Sequence, residues 1–332
     1  MTPALTVEGL TVVADGRRGS AVEIVRDVSF TVARGARMGL VGESGSGKTM
    51  TAMAVMGLLR RPLRVSGGSV LLGDTDLRAL RGRALARVRG GRVAMIYQDP
   101  MQSLNPLHRV GEQIAEAIRL HAEVGRREAM ARAVELLTDV GIDDPAVKAR
   151  AYPHELSGGM RQRVMIAMAL AADPELLLCD EPTTALDVTT QRRIVELLVR
   201  ISRERGVAMV MITHDLGVAA GFCDEIAVMY AGRLVEQAPV RELYAAPRHP
   251  YTEALLGAAC DLTLPLERPI PTIAGQPPLP GRLAGGCSFH PRCPYAQEVC
   301  TLERPLLAAP DAAAPARVAC HFALTREKVR HG

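Results

Sequence analysis

The segment Gly42-Glu43-Ser44-Gly45-Ser46-Gly47-Lys48-Thr49 follows a short apolar run, Arg37 to Val41, and precedes Lys48 to Leu59, which reads as a helix. Glycines at Gly42, Gly45 and Gly47 let consecutive backbone N–H groups turn inward around phosphate oxygens, with Ser44 and Ser46 between them. Lys48 reaches the outer phosphates, and the Thr49 hydroxyl can ligate Mg²⁺. The N-terminus of the following helix adds positive potential. A buried strand, a phosphate-binding loop and a helix in this order restrict the chain to an α/β architecture with a nucleoside triphosphate site.

Composition gives the lysine added weight. Lysine and arginine total 40, yet the only lysines are Lys48, Lys148 and Lys328, so a basic residue placed at random would nearly always be arginine. A compact ammonium suits a phosphate cradle, whereas guanidinium differs in shape and hydration. With 332 residues, 48% hydrophobic and 23% charged, the chain has material for one large domain and a smaller one. Net charge is +4 and the arginines are scattered among acids, which does not call for a nucleic-acid surface. Trp is absent, and Tyr 6 with Phe 4 leaves too few rings for base-stacking platforms. Neither a secretory start at Met1 to Leu10 nor an apolar run of about 18 residues is visible, so a cytoplasmic protein able to dock on a membrane partner is expected.

Alternating apolar residues over Leu5 to Val13 and Val22 to Val32, separated by Asp15-Gly16-Arg17-Arg18-Gly19, predict antiparallel strands ahead of the loop. Val93 to Tyr97 predicts another buried strand. From Arg109 to Val140 the period is helical, with Gly141 as its C-cap, and this marks a helical insert. Leu176 to Cys179, Val207 to Ile212 and Glu225 to Tyr230 are β-rich runs separated by helix-length segments such as Thr189 to Arg203, which implies a mostly parallel sheet. Ala231-Gly232-Arg233 reads as a hairpin turn. Beyond Pro239 prolines recur, from Pro247 and Pro250 through Pro265, Pro269 and Pro271 to Pro277, Pro278 and Pro280, and a domain boundary is placed there.

Two further segments carry chemistry. Leu176 to Glu181 is an apolar strand ending in two carboxylates. Asp180 is the candidate to hold Mg²⁺, and Glu181 the candidate to orient and polarise an attacking water. Leu156-Ser157-Gly158-Gly159-Met160, followed by a helix-like run, can present N–H groups and a helix N-terminus to phosphate; a serine N-cap with a glycine turn is the plain alternative.

Taken in order, these motifs make Leu5 to Val235 resemble the ATP-binding cassette (ABC) ATPases. Gln98, after the strand Val93 to Tyr97, matches the family's glutamine loop, and Leu156 to Met160 its signature. Asp180 and Glu181 match the Walker B pair, Ala185-Leu186-Asp187 the loop that crosses between subunits, and His214 the switch histidine that senses the γ-phosphate. The resemblance implies a P-loop core with an antiparallel β subdomain and a helical insert at about 103–170. It implies ATP contacts from Gly42 to Thr49, Gln98 and Asp180, and Mg²⁺ held by Thr49, Gln98 and Asp180. It assigns catalysis to Glu181, His214 and Gln98, and it aims Ser157, Gly158 and Gly159 at the partner's nucleotide. Two cassettes would pack head to tail, each ATP lying between the phosphate loop of one and the signature of the other, and drive a membrane partner. Ala151 to Glu155 is similar to the part that relays that motion. Two departures stand out: no Phe, Tyr or Trp precedes Phe30, itself read as core, to stack on adenine, and Met160 replaces the commonest last residue of the signature.

Seven cysteines in such a chain argue against a disulfide framework. Cys179, Cys223 and Cys260 lie singly in apolar segments and read as core. Cys287, Cys293, Cys300 and Cys320 crowd together as C-x5-C-x6-C-x19-C, with His290 and His321 beside them. Four thiolates can hold zinc or an iron–sulfur cluster, the absence of tight C-x2-C pairs favours iron–sulfur, and unligated thiols are the alternative. His249-Pro250-Tyr251-Thr252, Gly275 to Pro278 and Cys287 to Pro294 resemble the extension of oligopeptide and dipeptide importer ATPases, some of which carry a [4Fe–4S] cluster on four cysteines. The division expected is 1–238 for the ATPase domain and 239–332 for the extension. The resemblance further implies a second, distinct ATPase subunit, two membrane permease subunits and an extracytoplasmic solute-binding protein, with this chain on the cytoplasmic face of the inner membrane. Relatives also carry nickel chelates or glutathione, and a soluble cassette acting on DNA or ribosomes is the reading of a different class.

Overall fold

The computed structural model describes residues 2–16, 20–184, 186–258, 272–309 and 315–325. Arg17 to Gly19, Ala185, Cys260, Pro265, Pro269, Pro271 and Lys328, named above, lie outside them. The strands are β1 (Leu5–Asp15), β2 (Ala21–Val32), β3 (Arg37–Val41), β4 (Leu63–Leu72), β5 (Thr75–Asp76), β6 (Val93–Ile96), β7 (Leu176–Asp180), β8 (Ala208–Thr213), β9 (Glu225–Tyr230), β10 (Arg233–Pro239) and β11 (Arg317–Val318). The helices are α1 (Lys48–Val55), α2 (Gly82–Val88), α3 (Pro100–Ser103), α4 (Val110–His121), α5 (Arg126–Asp139), α6 (Pro145–Lys148), α7 (Gly158–Ala169), α8 (Val188–Arg205), α9 (Leu216–Phe222), α10 (Val240–Ala245), α11 (Pro250–Ala258) and α12 (Glu298–Leu302). They fall into two compact bodies, one built mainly from Leu71–Met211 and the other from Thr6–Phe30, Met38–Val70 and the chain from Ile212 onward.

In the first body β6 and β7 pair in parallel from Val93 opposite Leu176 to Ile96 opposite Cys179, with β8 on the far side of β7. Every residue of β6 and β7 is buried, which is why these runs are apolar without alternation. The helical insert is built from α4, α5 and α7, which pack on one another. α4 buries Val110, Ile114 and Ile118, and α5 buries Ala129, Ala133, Leu136 and Leu137, one stripe each at helical spacing. The helical pattern from Arg109 to Val140 is therefore two helices. The break comes at extended Ala122 (φ −128°), where the Val124 N–H turns back onto the Ala122 carbonyl. Gly141 ends α5 as expected, with φ 73° and the Ile142 N–H on the Leu137 carbonyl.

In the second body β2, β1 and β4 lie side by side as one sheet, and a separate run has the order β11-β10-β9-β3. β3 and β9 are parallel, whereas β10 returns antiparallel to β9 and β11 antiparallel to β10, so this sheet is mixed. The β9–β10 hairpin turns on Ala231 (φ 47°) and Gly232 (φ 83°), the two left-handed residues that a tight turn of this hand needs. α1 stops at Val55, short of the predicted Leu59, because Gly57 enters the left-handed region and the Leu58 N–H closes back on the Met53 carbonyl. Phe30, Cys179 and Cys223 are buried, as expected of core residues.

The carboxy-terminal part of the second body is organised around a buried carboxylate. Glu236 on β10 is fully buried and accepts the Arg248 and His249 N–H groups at 2.8 and 2.9 Å, which fixes the start of α11. Burial raises the Glu236 carboxyl above its ordinary range. His249 Nδ1 accepts the Tyr251 N–H at 3.0 Å, and burial drives its imidazole down to about 3, so the ring is neutral. Among the described residues no helix is long and apolar enough to cross a membrane.

Candidate nucleotide site

The phosphate loop lies in the second body between β3 and α1. Gly42 has φ 151°, and a Cβ there would stand 2.2 Å from the Met229 carbonyl oxygen, so the first loop glycine answers to backbone crowding from β9. Gly47 (φ 106°) is the N-cap of α1, in a backbone conformation that L side chains rarely adopt. Ser44 and Gly45 are exposed, Ser46 and Lys48 buried, and Thr49 half-buried. Lys48 Nζ donates to the Gly42 and Glu43 carbonyls at 2.7 and 3.0 Å, so the ammonium lies across the loop's first half. The Gly232 N–H of the β9–β10 turn donates to the Ser46 carbonyl at 2.9 Å and braces the second half.

Glu43 carries a set of contacts that no local pattern announced. Its carboxylate takes both arms of the Arg292 guanidinium, at 2.7 and 3.0 Å, from a residue 249 positions away. Its N–H donates to the Tyr251 hydroxyl at 2.8 Å. Arg292 is 5% exposed, and its guanidinium carbon stands 5.8 Å from the Tyr230 ring centre and 6.0 Å from that of Phe289. The Tyr230, Tyr251 and Phe289 rings pack together with centroids 4.6 to 5.3 Å apart. His249 to Thr252 and Cys287 to Pro294, two of the segments singled out in the sequence, thus close on the phosphate loop.

In the first body β7 delivers Asp180, buried at the strand's last position, and then Glu181 at φ 46°. A left-handed backbone at a glutamate is strained. The strain turns its side chain to a place where Gln98 Nε2 donates to Oε2 at 3.0 Å and the Thr184 hydroxyl donates to the same oxygen at 2.9 Å. Gln98 follows β6, so the parallel pairing of β6 and β7 brings Gln98 and Glu181 to one end of the sheet. Thr184 escaped the sequence reading; its only signal was its place after the two carboxylates.

Ser157 caps α7, accepting the Met160 N–H at 3.3 Å, and Ser157 and Gly158 are exposed at that helix start. A Cβ on Gly159 would lie 2.8 Å from Thr190 Cγ2, so the glycine is what lets α7 approach the first turn of α8. That turn is capped by Asp187, which accepts from the Thr190 N–H at 2.9 Å and its hydroxyl at 2.7 Å. His214 is exposed just past β8 in the second body, next to Asp215, the N-cap of α9.

Cys287, Cys293, Cys300 and Cys320 line one cavity together with His290, His321 and the Phe289 ring. All four are free thiols. Burial first, then mutual repulsion, raises the Cys287 and Cys293 thiols and pushes Cys320 up to about 11, so these groups are neutral. Four thiols around one cavity are the donor set for zinc or an iron–sulfur cluster. As they stand, however, no group of three or more His, Cys, Asp or Glu among the described residues is arranged to hold a metal ion. Cys287, Cys293, Cys300 and Cys320, expected from the sequence to hold a [4Fe–4S] cluster, share this cavity without forming such a group.

Comparison with known proteins places these features in a family. Residues 25–184 match the ABC transporter model, and residues 235–300 match the model for the C-terminal region of oligopeptide/dipeptide transporters. A probable peptide ABC transporter ATP-binding protein of Sinorhizobium fredii is 49% identical over 289 residues, covering 87% of this chain and 86% of that protein. The oligopeptide transport ATP-binding protein OppD of Mycobacterium tuberculosis is 48% identical over 321 residues, 96% of this chain but 52% of the longer relative. Among solved structures, the dimeric ATP-binding cassette MJ0796, in a post-hydrolysis state bound to ADP and Pi, superposes with a TM-score of 0.64 at 26% identity. That match covers 71% of this chain and 99% of that one. The chain belongs to the ABC transporter ATP-binding proteins, in the oligopeptide/dipeptide import family.

Proposed function

We propose that the chain is the ATP-binding, ATP-hydrolysing subunit of a peptide importer. The observation that carries the hydrolytic reading is Glu181: strained at φ 46°, its carboxylate is held by Gln98 and Thr184 immediately after the buried Asp180. A carboxylate fixed in this way is a general base able to take a proton from an attacking water. Lys48 and the loop N–H groups from Gly42 to Thr49 bind the phosphates, and His214 senses the terminal one. Thr49, Gln98 and Asp180 are oxygen donors of the kind a hard cation takes; they would hold Mg²⁺, which would neutralise charge on the phosphates. Ser157 and Gly158, exposed at the start of α7, with the half-buried Gly159 complete the nucleotide site of a second, distinct cassette. Two membrane permease subunits and a solute-binding protein make up the rest of the transporter, with this chain at the cytoplasmic face of the inner membrane. Residues 1–238 form the ATPase domain and 239–332 the extension. The names of the relatives favour peptides over nickel chelates or glutathione.

The convergence of four cysteines on one cavity supports a metal-binding role for the extension, in which the thiols would lose their protons on loading. Anaerobic purification followed by iron and zinc assay decides this. Stoichiometric iron with a charge-transfer spectrum is the expected result, and a metal-free protein with four titratable thiols refutes it. For the ATPase, Glu181→Gln in the assembled transporter is expected to keep ATP binding and lose about a hundredfold or more in turnover. Parental turnover would remove Glu181 from the base role.

A further inference from the structure

A second cavity, of about 210 Å³, opens beside β10 and has no part in the nucleotide site. It is basic. Arg233 of β10, Arg304 after α12 and Arg317 of β11 line it, and Asp27 is the one acid among the lining residues. Arg26 stands at its edge, its guanidinium donating to the Ala231 carbonyl and, at 2.9 Å, to the Ser288 hydroxyl of the cavity wall. Its charge and that of Arg304 both bear on Arg233. Four guanidinium groups thus face Asp27 and the exposed Glu23.

The charge is poorly compensated. Arg233 is 23% exposed, and its closest carboxylate is Asp27 Oδ2 at 3.9 Å, itself 61% exposed. Arg233 Nε is buried without a hydrogen-bond partner. Among the described residues neither Arg304 nor Arg317 forms an ion pair, although Arg317 donates to the Leu307 carbonyl at 3.2 Å. Burying like charges beside an unsatisfied donor is costly unless something offsets it. Burial, followed by repulsion from Arg26 and Arg304, brings the Arg233 guanidinium down to about 10.

The donors come from separate stretches of chain, β10, β11 and the segment after α12, with Arg26 of β2 at the edge. A planar carboxylate satisfies one guanidinium fork, whereas a phosphate offers three outer oxygens and up to two negative charges to several. Leu234, Leu306 and Leu307 form an apolar wall to the same cavity. We propose that this cavity is a binding site for a phosphate monoester with a short apolar body. When filled, it ties the segment carrying Arg304 to β10 and to the β11 strand already paired with it.

The test is calorimetric titration of the full chain with inorganic phosphate and with n-butyl phosphate, at constant ionic strength set with chloride. Lys48→Ala removes binding at the phosphate loop, and Arg304→Gln or Arg317→Gln, both at exposed positions, removes one donor each from the cavity. The expected result is a phosphate-binding event that survives Lys48→Ala and weakens at least tenfold in either arginine variant. Co-sedimentation with phosphatidate vesicles, lost in Arg304→Gln, would assign the same phosphate group to a lipid instead of a free ester. Binding that disappears with Lys48→Ala, or that both arginine variants leave unchanged, overturns the proposal.

Discussion

Replacing Arg292 by methionine keeps the apolar stem and deletes the fork on Glu43. Arg292 is 5% exposed and Glu43 is 24% exposed, so the pair lies between two regimes. Removing one partner of a fully buried pair costs about 3–5 kcal/mol, and an exposed pair is worth about 0–1 kcal/mol. Water reaching a quarter of Glu43 places the coupling at about 2 kcal/mol. Loss of the guanidinium from the Tyr230 and Phe289 rings adds about 0.5–1 kcal/mol that does not depend on Glu43. The two contributions separate in a double-mutant cycle of Arg292→Met with Glu43→Gln, read by urea unfolding of the full chain. Titration of the same four proteins with a fluorescent ATP analogue follows the loop itself. With its first half released from Arg292, affinity should fall by about tenfold, which corresponds to about 1.4 kcal/mol. A coupling energy below about 0.3 kcal/mol, within the range of independent sites, would refute the claim that the fork bears on the phosphate loop.

Other consequences are as direct. Gly159→Ala sets a Cβ 2.8 Å from Thr190 Cγ2 on a stiff, capped turn, and about 1–2 kcal/mol of stability should be lost in denaturant titration; an unchanged midpoint would mean that α7 and α8 have slack between them. His249 is neutral in the fold, with its imidazole lowered from 6.5 to about 3. The unfolded chain therefore binds the extra proton, and stability falls as pH drops from 6.5 towards 3. In His249→Gln that acid limb should be shallower, with no change in slope above pH 7; identical pH profiles would show that the ring is not the titrating group.

Much of this fold is local in origin and was legible before any coordinates. Arg37–Val41 reads as a strand because it is apolar without alternation, and β3 has those bounds. Gly141 and the Ala231-Gly232 turn were readable because a left-handed residue is demanded where one element ends and the next begins. The predicted Lys48–Leu59 helix overran, since the Gly57 cap competes with continued helical spacing. β4, with its run of half-exposed residues around Gly67 and Gly68, carried no period strong enough to mark it.

The order of motifs along the chain, and hence the family, follows from sequence alone, because each motif is a short stretch whose chemistry dictates residue type and spacing. Gln98 and Glu181 could each be named that way, but their 3.0 Å hydrogen bond, between residues 83 apart, exists only once β6 and β7 pair. The same holds more strongly for the extension. No spacing rule links Glu43 to Tyr251 and Arg292 across 208 and 249 residues, or sets three arginines around one cavity. Loop closure costs little more for long loops than for short ones, so distant pairings leave no periodic trace in the chain. Local sequence determined what kind of phosphate loop this is, and tertiary packing alone decided that the carboxy-terminal residues hold it in place.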